Sequence, residues 1–240
     1  MSKVALVTGG TRGIGSAIST KLKDSGYKVI ANYASNDESA KKFSESENID
    51  VMKWDVSNFE DCTKAINEIY EKFSNIDILI NNAGITRDAP LHKMSLENWE
   101  KVISVNLNSV FNLTSLTINK MRENGFGRIV HISSVNGQKG QFGQTNYAAS
   151  KSALIGFSKS LALECAAKGI TSNVICPGYI NTEMVAAIRE DILKGIIDTI
   201  PSKRLGESKE IAEMVDYLIS ENASYVNGAT FSINGGLWMD

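Results

Sequence analysis

Short apolar runs rich in β-branched residues alternate with stretches whose apolar residues recur every three or four positions, from one end of the chain to the other. Strands are predicted at 4–8, 28–33, 50–54, 76–81, 128–132, 171–176 and 230–233. Several are continuously apolar, as in Ile78-Leu79-Ile80, the pattern of strands buried on both faces of a parallel sheet. Ile14, Ile18 and Leu22 keep helical spacing after the first run, as do Cys62, Ile66, Ile69 and Phe73 after the third. Ser57-x-x-Glu60 reads as a capping box opening that helix. Longer helical patterns run over 95–124 and 147–167. The alternation predicts an α/β fold, a doubly wound parallel sheet with right-handed crossovers. With three prolines and no Ser/Gly/Pro-rich linker, one domain is expected over 1–240, its cofactor half at 1–135 and its substrate and catalytic half at 136–240. The least regular stretch, 181–206, is expected to form a lid.

Composition narrows the functional classes. The chain has 240 residues, enough to bury a large core without staples. A net charge of −2 and scattered basic residues exclude nucleic-acid or membrane binding through bulk charge. Cys62, Cys165 and Cys176 are few, odd in number and far apart, which points to a reducing compartment rather than a disulfide framework. The apolar run after Met1-Ser2-Lys3 is too short for a signal peptide, and no stretch approaches the roughly 20 apolar residues of a membrane span. A cytoplasmic protein is expected, and Asn112-Leu-Thr and Asn222-Ala-Ser are chance glycosylation patterns. His92 and His131 lack partners at metal-ligand spacing, so no metal is expected, and His131 reads as a satisfied core histidine.

Thr8-Gly9-Gly10-Thr11-Arg12-Gly13-Ile14-Gly15 joins the first strand to the first helix. Glycines let backbone N–H groups approach a pyrophosphate, and the helix N-terminus adds partial positive charge. The spacing Gly9-xxx-Gly13-x-Gly15 differs from G-x-G-x-x-G, with Ile18 in the place of a further glycine. Glycines also serve ordinary turns; the strand–turn–helix context favours a dinucleotide site. An acidic residue near the end of the second strand would hold an NAD ribose, yet that strand ends Asn32-Tyr33-Ala34-Ser35 and no carboxylate appears until Asp37. With Arg12 in the turn able to pair a 2′-phosphate, the expectation is NADPH. The plainer reading of Arg12 is a solvated loop residue.

Four polar positions carry candidate chemistry: Asn106, Ser134, Tyr147 and Lys151. Carbonyl reduction needs a hydride on carbon and a proton on oxygen. A phenol titrates near 10, and a close ammonium lowers that value. Tyr147 and Lys151, four residues apart on one helix, share a face. Reaching about 7 takes roughly 4 kcal/mol. Ser134 can fix the carbonyl, and Asn106 can hold a water that relays protons to Lys151. Alone, Tyr-xxx-Lys fits a half-buried tyrosine beside a snorkelling lysine; the glycine turn reverses the balance.

Over its full length the chain resembles the short-chain dehydrogenase/reductase family. The resemblance rests on Thr8-Gly9-xxx-Gly13-x-Gly15, Asp55-Val56, Asn81-Asn82-Ala83-Gly84, Asn106, Ser134, Tyr147-xxx-Lys151 and Pro177-Gly178. It implies a Rossmann-like seven-stranded sheet, usually in a homotetramer, with the C-terminal 234–240 reaching a neighbour. It also implies that Asp55 and Val56 flank the adenine, and that Asn82, Ala83, Gly84 and Ile85 line the ribose and nicotinamide side. Pro177, Gly178 and Ile180 would meet the carboxamide, and Lys151 the nicotinamide ribose. Within the family, the runs from Ser134 to Tyr147, from Asn82 to Asp88 and from Pro177 to Ile180 are similar to acetoacetyl-CoA reductases of the polyhydroxybutyrate type. That likeness implies an acyl-CoA substrate reduced to the (R)-3-hydroxy product, near Asp88, Gln141, Phe142, Gln144, Tyr179 and Arg189. A polar surface loop and a solvated arginine are the plainer readings of Gln141, Phe142, Gln144 and Arg189.

One rival is a β-ketoacyl-[acyl-carrier-protein] reductase. Its acidic carrier calls for basic docking residues, and Glu123-Asn-Gly-Phe-Gly127 has none, although Arg122, Arg128 and Lys168 lie close in sequence. Another is a non-catalytic dinucleotide sensor, against which the presence of both Tyr147 and Lys151 speaks.

Overall fold

The computed structural model describes residues 2–186 and 189–239, the side chain of Met184 excepted. The described residues build a seven-stranded, all-parallel sheet in the order β3-β2-β1-β4-β5-β6-β9. Its strands are β1 (Val4–Val7), β2 (Lys28–Tyr33), β3 (Asp50–Lys53), β4 (Ile78–Asn81), β5 (Gly127–Ile132), β6 (Ile170–Pro177) and β9 (Thr230–Ile233). The chain runs outward from β1 to β3, returns to β4, and runs outward the other way. Ligands in such sheets bind where the order reverses, beyond the carboxyl ends of β1 and β4.

Alternation along each strand divides the core. Ala5, Val7, Ile78, Ile80, Val130 and Ile132 face helices α1 (Gly13–Asp24) and α10 (Ser208–Ile219). Val4, Leu6, Leu79 and Ile129 face α3 (Phe59–Phe73), α5 (Ser109–Asn124) and α7 (Thr145–Cys165). Both faces are therefore covered, which is why β1, β4, β5 and β6 are buried along their whole length.

Three local expectations shift. Helix α3 opens one residue after Ser57: Asn58 is the cap and accepts from the backbone of Asp61, so the Ser57–Glu60 box does not form. The helical pattern over 95–124 is α4 (Leu96–Ile103) joined to α5 by a π turn, Ser104–Asn108, that carries Asn106. The stretch 181–206 is mostly regular: after a short strand β7 (Ile180–Asn181) come α8 (Glu183–Ala186) and α9 (Glu190–Thr199). Strand β8 (Gly206–Glu207) then pairs back onto β7. Ala187 and Ile188, within the expected lid, and Asp240, within the expected C-terminal crossing, lie outside the described residues.

Candidate active site

The glycine turn is built by close approach. Gly9 and Gly13 have φ of +58° and +55°, which L side chains rarely adopt. A Cβ on Gly15 would stand 2.0 Å from the Gly9 carbonyl oxygen and 2.6 Å from Asn82 Nδ2, so the helix packs directly on the turn. Arg12, at the N-cap of α1, makes no side-chain cap, so its side chain does not take the first-turn N–H groups that an anion would use. Thr11 and Ile14 are half-buried, whereas Arg12 and Ser35 are exposed.

Buried asparagines and one threonine hold this turn. Asn82 Nδ2 donates to the carbonyls of Thr8 (2.8 Å) and Gly9 (3.2 Å), while Thr8 Oγ1 accepts from the backbones of Asn82 and Ala83, both at 2.9 Å. Asn32 accepts from Gly9 N at 3.2 Å and donates to the Tyr33 and Trp54 carbonyls. Its amide is thus spent inside the protein, and Asn32 serves the turn rather than pointing at a ligand. Asp37, the first carboxylate after β2, pairs with Lys53 at 2.9 Å. That pairing, with help from the Tyr33 hydroxyl, outweighs burial and holds its carboxyl below the usual range. Asp55 takes the Ser57 N–H at 2.9 Å and hydroxyl at 2.6 Å. Burial pushes its carboxyl up, but these bonds and Lys101 prevail and hold it below the usual range. Val56 is buried in the core, and Ala83 packs against it.

The four chemical residues converge beyond the carboxyl end of β5. Ser134 follows β5 directly and caps the short helix α6 (Val135–Lys139), its Oγ accepting from Asn136 N at 3.1 Å. The Tyr147 phenol lies near enough to Ser134 for the serine to pull its titration down. Lys151 is 4% exposed, and its Nζ donates to the Ile132 carbonyl at 2.7 Å and lies 5.8 Å from the centre of the Tyr147 ring. Burial lowers the Lys151 ammonium to about 8.

One sequence expectation changes here. Burial pushes the Tyr147 phenol up; Ser134 opposes it, while Asp88 and Cys176 add to it, and Lys151 is not among the groups that shift it. The phenol is therefore raised, not brought toward neutrality by the lysine. Asn106 has no free side-chain amide: its Oδ1 accepts from Ile85 N at 2.8 Å, and its Nδ2 donates to the Ile85 carbonyl at 3.0 Å and to Ser150 Oγ at 3.1 Å. It clamps the 82–85 strand extension to α7 with both of its amide hydrogens, and its oxygen keeps a second acceptor position. Gly84 lies in the same corner, where a Cβ would stand 3.3 Å from Lys151 Nζ.

Pro177 and Ile180 are buried beside this corner, and Gly178 packs so closely on Asn234 that a Cβ would meet its Cα at 2.8 Å. On the substrate side, Gln144 Nε2 donates to Asp88 Oδ2 at 2.8 Å, and Tyr179 is half-buried within hydrogen-bonding reach of Asn136. Phe142 is 85% exposed, and Gln141 accepts from Lys139 at 3.0 Å. Arg189 does not join them: Asp191 on its own helix takes both arms of its guanidinium, at 2.7 and 3.0 Å. The carrier-docking comparison also fails in space. Arg128 is 4% exposed, and the 123–128 segment sits at the amino end of β5, opposite the end from which Ser134 emerges.

Several supporting residues had no motif to mark them. Ser133 donates to the Lys151 carbonyl at 2.8 Å, and Ser150 to that of Tyr147 at 2.7 Å. Asn146 Nδ2 donates to the Arg87 carbonyl at 3.0 Å. Their one sequence signal is polarity on otherwise buried helix and strand faces.

Comparison with known proteins agrees with this layout. Residues 9–238 match the family model described as enoyl-(acyl carrier protein) reductase. An acetoacetyl-CoA reductase of Rhizobium meliloti (strain 1021) is 56% identical over 98% of each chain. An acetoacetyl-CoA reductase of Shinella zoogloeoides has the same identity and coverage. A 3-oxoacyl-[acyl-carrier-protein] reductase of Haemophilus influenzae is 43% identical over 99% of this chain and 98% of its own. With Ser134, Tyr147 and Lys151 gathered beside a glycine turn at the sheet's reversal point, the chain belongs to the short-chain dehydrogenase/reductase family and is an oxidoreductase that uses a nicotinamide dinucleotide.

Proposed function

We propose that the chain reduces acetoacetyl-CoA with NADPH to (R)-3-hydroxybutyryl-CoA. The observation that carries the reading is the gathering of the Ser134 and Tyr147 hydroxyls in one corner, with Lys151 buried behind them, its Nζ on the Ile132 carbonyl and 5.8 Å from the Tyr147 ring centre. Two hydroxyls converging on one point suit a ketone oxygen, which must be held and then protonated; enoyl reduction puts its proton on carbon instead. The names of the relatives at 56% identity support a coenzyme A thioester over a carrier-bound one.

The dinucleotide fits the residues present. The uncapped α1 N-terminus and the glycines would hold its pyrophosphate, with Thr11, Gly13, Ile14 and Gly15 around it. Arg12 and Ser35 would take the 2′-phosphate, and the first carboxylate after β2, Asp37, is already paired with Lys53. Asp55 and Val56 would border the adenine, and Asn82 to Ile85, Pro177, Gly178 and Ile180 the nicotinamide half. When bound, the cofactor supplies the hydride. Ser134 donates a hydrogen bond to the C3 keto oxygen, and Tyr147 donates the proton. Lys151, whose Nζ sits on the Ile132 carbonyl, would hold a hydroxyl of the nicotinamide ribose and place a positive charge near the phenol. Asp88, Gln141, Phe142, Gln144 and Tyr179 border the acyl-CoA.

The reading extends to a cytoplasmic homotetramer serving polyhydroxybutyrate synthesis; Leu96, Phe111 and Leu163, exposed on α4, α5 and α7, supply apolar surface for subunit contacts. The test is NADPH consumption with acetoacetyl-CoA, acetoacetyl-carrier protein and crotonyl-CoA, repeated with NADH. The expected result is highest kcat/KM for acetoacetyl-CoA with NADPH. Faster turnover of the carrier-bound substrate, turnover of crotonyl-CoA alone, or a preference for NADH would overturn it.

A further inference from the structure

Three polar side chains beside the catalytic corner are joined in a row that has a direction. Asp88 Oδ2 accepts from Gln144 Nε2 at 2.8 Å, and Gln144 Oε1 accepts from Asn136 Nδ2 at 3.0 Å. The backbone N–H of Asn136 then donates to Ser134 Oγ at 3.1 Å. An amide side chain turned by 180° exchanges its donor and acceptor at almost no change in shape, so only its partners fix which way it lies. A carboxylate can only accept. Asp88 therefore requires the NH2 of Gln144, and the remaining oxygen of Gln144 requires the NH2 of Asn136. At the inner end Asn136 Oδ1 is buried with no partner among the described residues, on a side chain that is more than nine-tenths buried. A flip of Asn136 would leave an NH2 in that same partnerless place and set its oxygen against the oxygen of Gln144, while the nearby Tyr179 hydroxyl can donate or accept and so does not choose between the two; the direction comes through Gln144 from Asp88.

We propose that Asp88, through Gln144, fixes Asn136 as a positioning residue for Ser134. With the first turn of α6 anchored by the Asn136 amide, the Asn136 N–H stays on the Ser134 oxygen. That bond uses an acceptor position of Ser134 and leaves its proton free to donate. The relay thus ties an exposed carboxylate at the substrate mouth to the direction of the hydroxyl that holds the keto oxygen. It rests on the ketone-reductase reading and adds three residues that act through Ser134 rather than on the reacting atoms.

The test exchanges the ends of the first bond. Asp88→Asn lets Gln144 lie either way. In the double variant Asp88→Asn/Gln144→Glu, the new carboxylate accepts from both sides, so Asn136 keeps its orientation although the charge has moved. We expect Asp88→Asn to lose about tenfold in kcat, the equivalent of one hydrogen bond, with the Kd for NADPH unchanged. The double variant should recover to within about threefold of the parent. A double variant no better than Asp88→Asn, or a loss confined to the KM for acetoacetyl-CoA, overturns the relay and makes Asp88 a direct substrate contact. The side-chain NH2 resonances of Gln144 and Asn136 in the ligand-free protein give a readout without turnover: both should shift in Asp88→Asn, and an unmoved Asn136 resonance overturns the relay. Absence of acetoacetyl-CoA turnover in the parent enzyme would sink the functional reading alone, leaving the resonances to judge the relay.

Discussion

A raised phenol has different consequences for the two directions of the reaction. Reduction needs Tyr147 protonated, and burial, with Asp88 and Cys176, keeps the proton on by pushing the phenol above its ordinary 10. Near neutrality the donor then almost fully carries its proton, and kcat for reduction should stay flat through neutral pH and fall in alkaline solution, where Lys151, lowered to about 8, loses its charge before the phenol loses its proton. Oxidation of the alcohol needs the phenolate, so its kcat should rise with pH across the same range. Ser134 is the one group that pulls the phenol down; a hydrogen bond of about 1 kcal/mol corresponds to somewhat less than one pH unit. Ser134→Ala should therefore move the oxidation profile upward by nearly one unit, besides lowering kcat through loss of the oxygen contact. Tyr147→Phe removes the proton donor and nothing else of comparable size. It should fold, bind NADPH as the parent does, and lose between about 10² and 10⁴ in kcat. Stopped-assay pH profiles in both directions, with NADPH fluorescence titration as the binding control, check all three statements. Tyr147→Phe within tenfold of the parent, or a reduction profile that falls through neutral pH, would refute the assignment of the proton to this phenol.

Two further outcomes follow from packing. Gly15→Ala places a Cβ 2.0 Å from the Gly9 oxygen, so the turn must open, and the Kd for NADPH should rise by about tenfold or more in a fluorescence titration; unchanged affinity would show that the pyrophosphate lies elsewhere. His131 is fully buried, with Asn81 Nδ2 at 3.2 Å from Nδ1 and Ser172 Oγ at 3.2 Å from Nε2, and burial, aided by the Lys151 charge, lowers it from 6.5 to about 3. The unfolded chain binds this proton below pH 6.5 and the folded one does not. Stability is thus whole above pH 6.5 and declines as pH falls toward 3, by about 3 kcal/mol at pH 4.5. Denaturant titrations of the parent and His131→Gln should show the parent losing that much more between pH 7 and 4.5, and equal slopes would mean that His131 titrates normally.

The fold was legible because its determinant is burial. Strands such as Ile78-Leu79-Ile80 are apolar on every residue, since helices cover both faces, and no other arrangement hides such runs so cheaply. Strand ends slipped by one or two residues where pattern gives way to chemistry: β6 runs on through Pro177, and β5 begins at Gly127, positions that carry no alternation of their own. The cap of α3 was displaced for a similar reason. Ser57 and Asn58 are both good caps, and Asp55 takes the Ser57 N–H and hydroxyl, leaving Asn58 to cap the helix.

The candidate reacting groups stand out in sequence because proton transfer and phosphate binding restrict residue type and spacing, whereas the polar residues that hold them do not. Asn32, Asn82 and Asn106 look alike in sequence. Each spends its amide hydrogens largely on the backbone of a segment far away in sequence. An asparagine amide mimics a backbone peptide, so it can close a turn, splice two strand ends or clamp a loop to a helix with equal ease. Which of these it does depends on the segment it meets, and that is fixed by the sheet order. Arg189 shows the same limit from outside: Asp191, two residues on, captures it, and spacing alone does not distinguish an arginine aimed at a phosphate from one held by its own helix. Sequence therefore locates the proton and the phosphate, and the geometry that makes Ser134 donate rather than accept resides in second neighbours whose identity as Asn or Gln says only that a hydrogen bond is made.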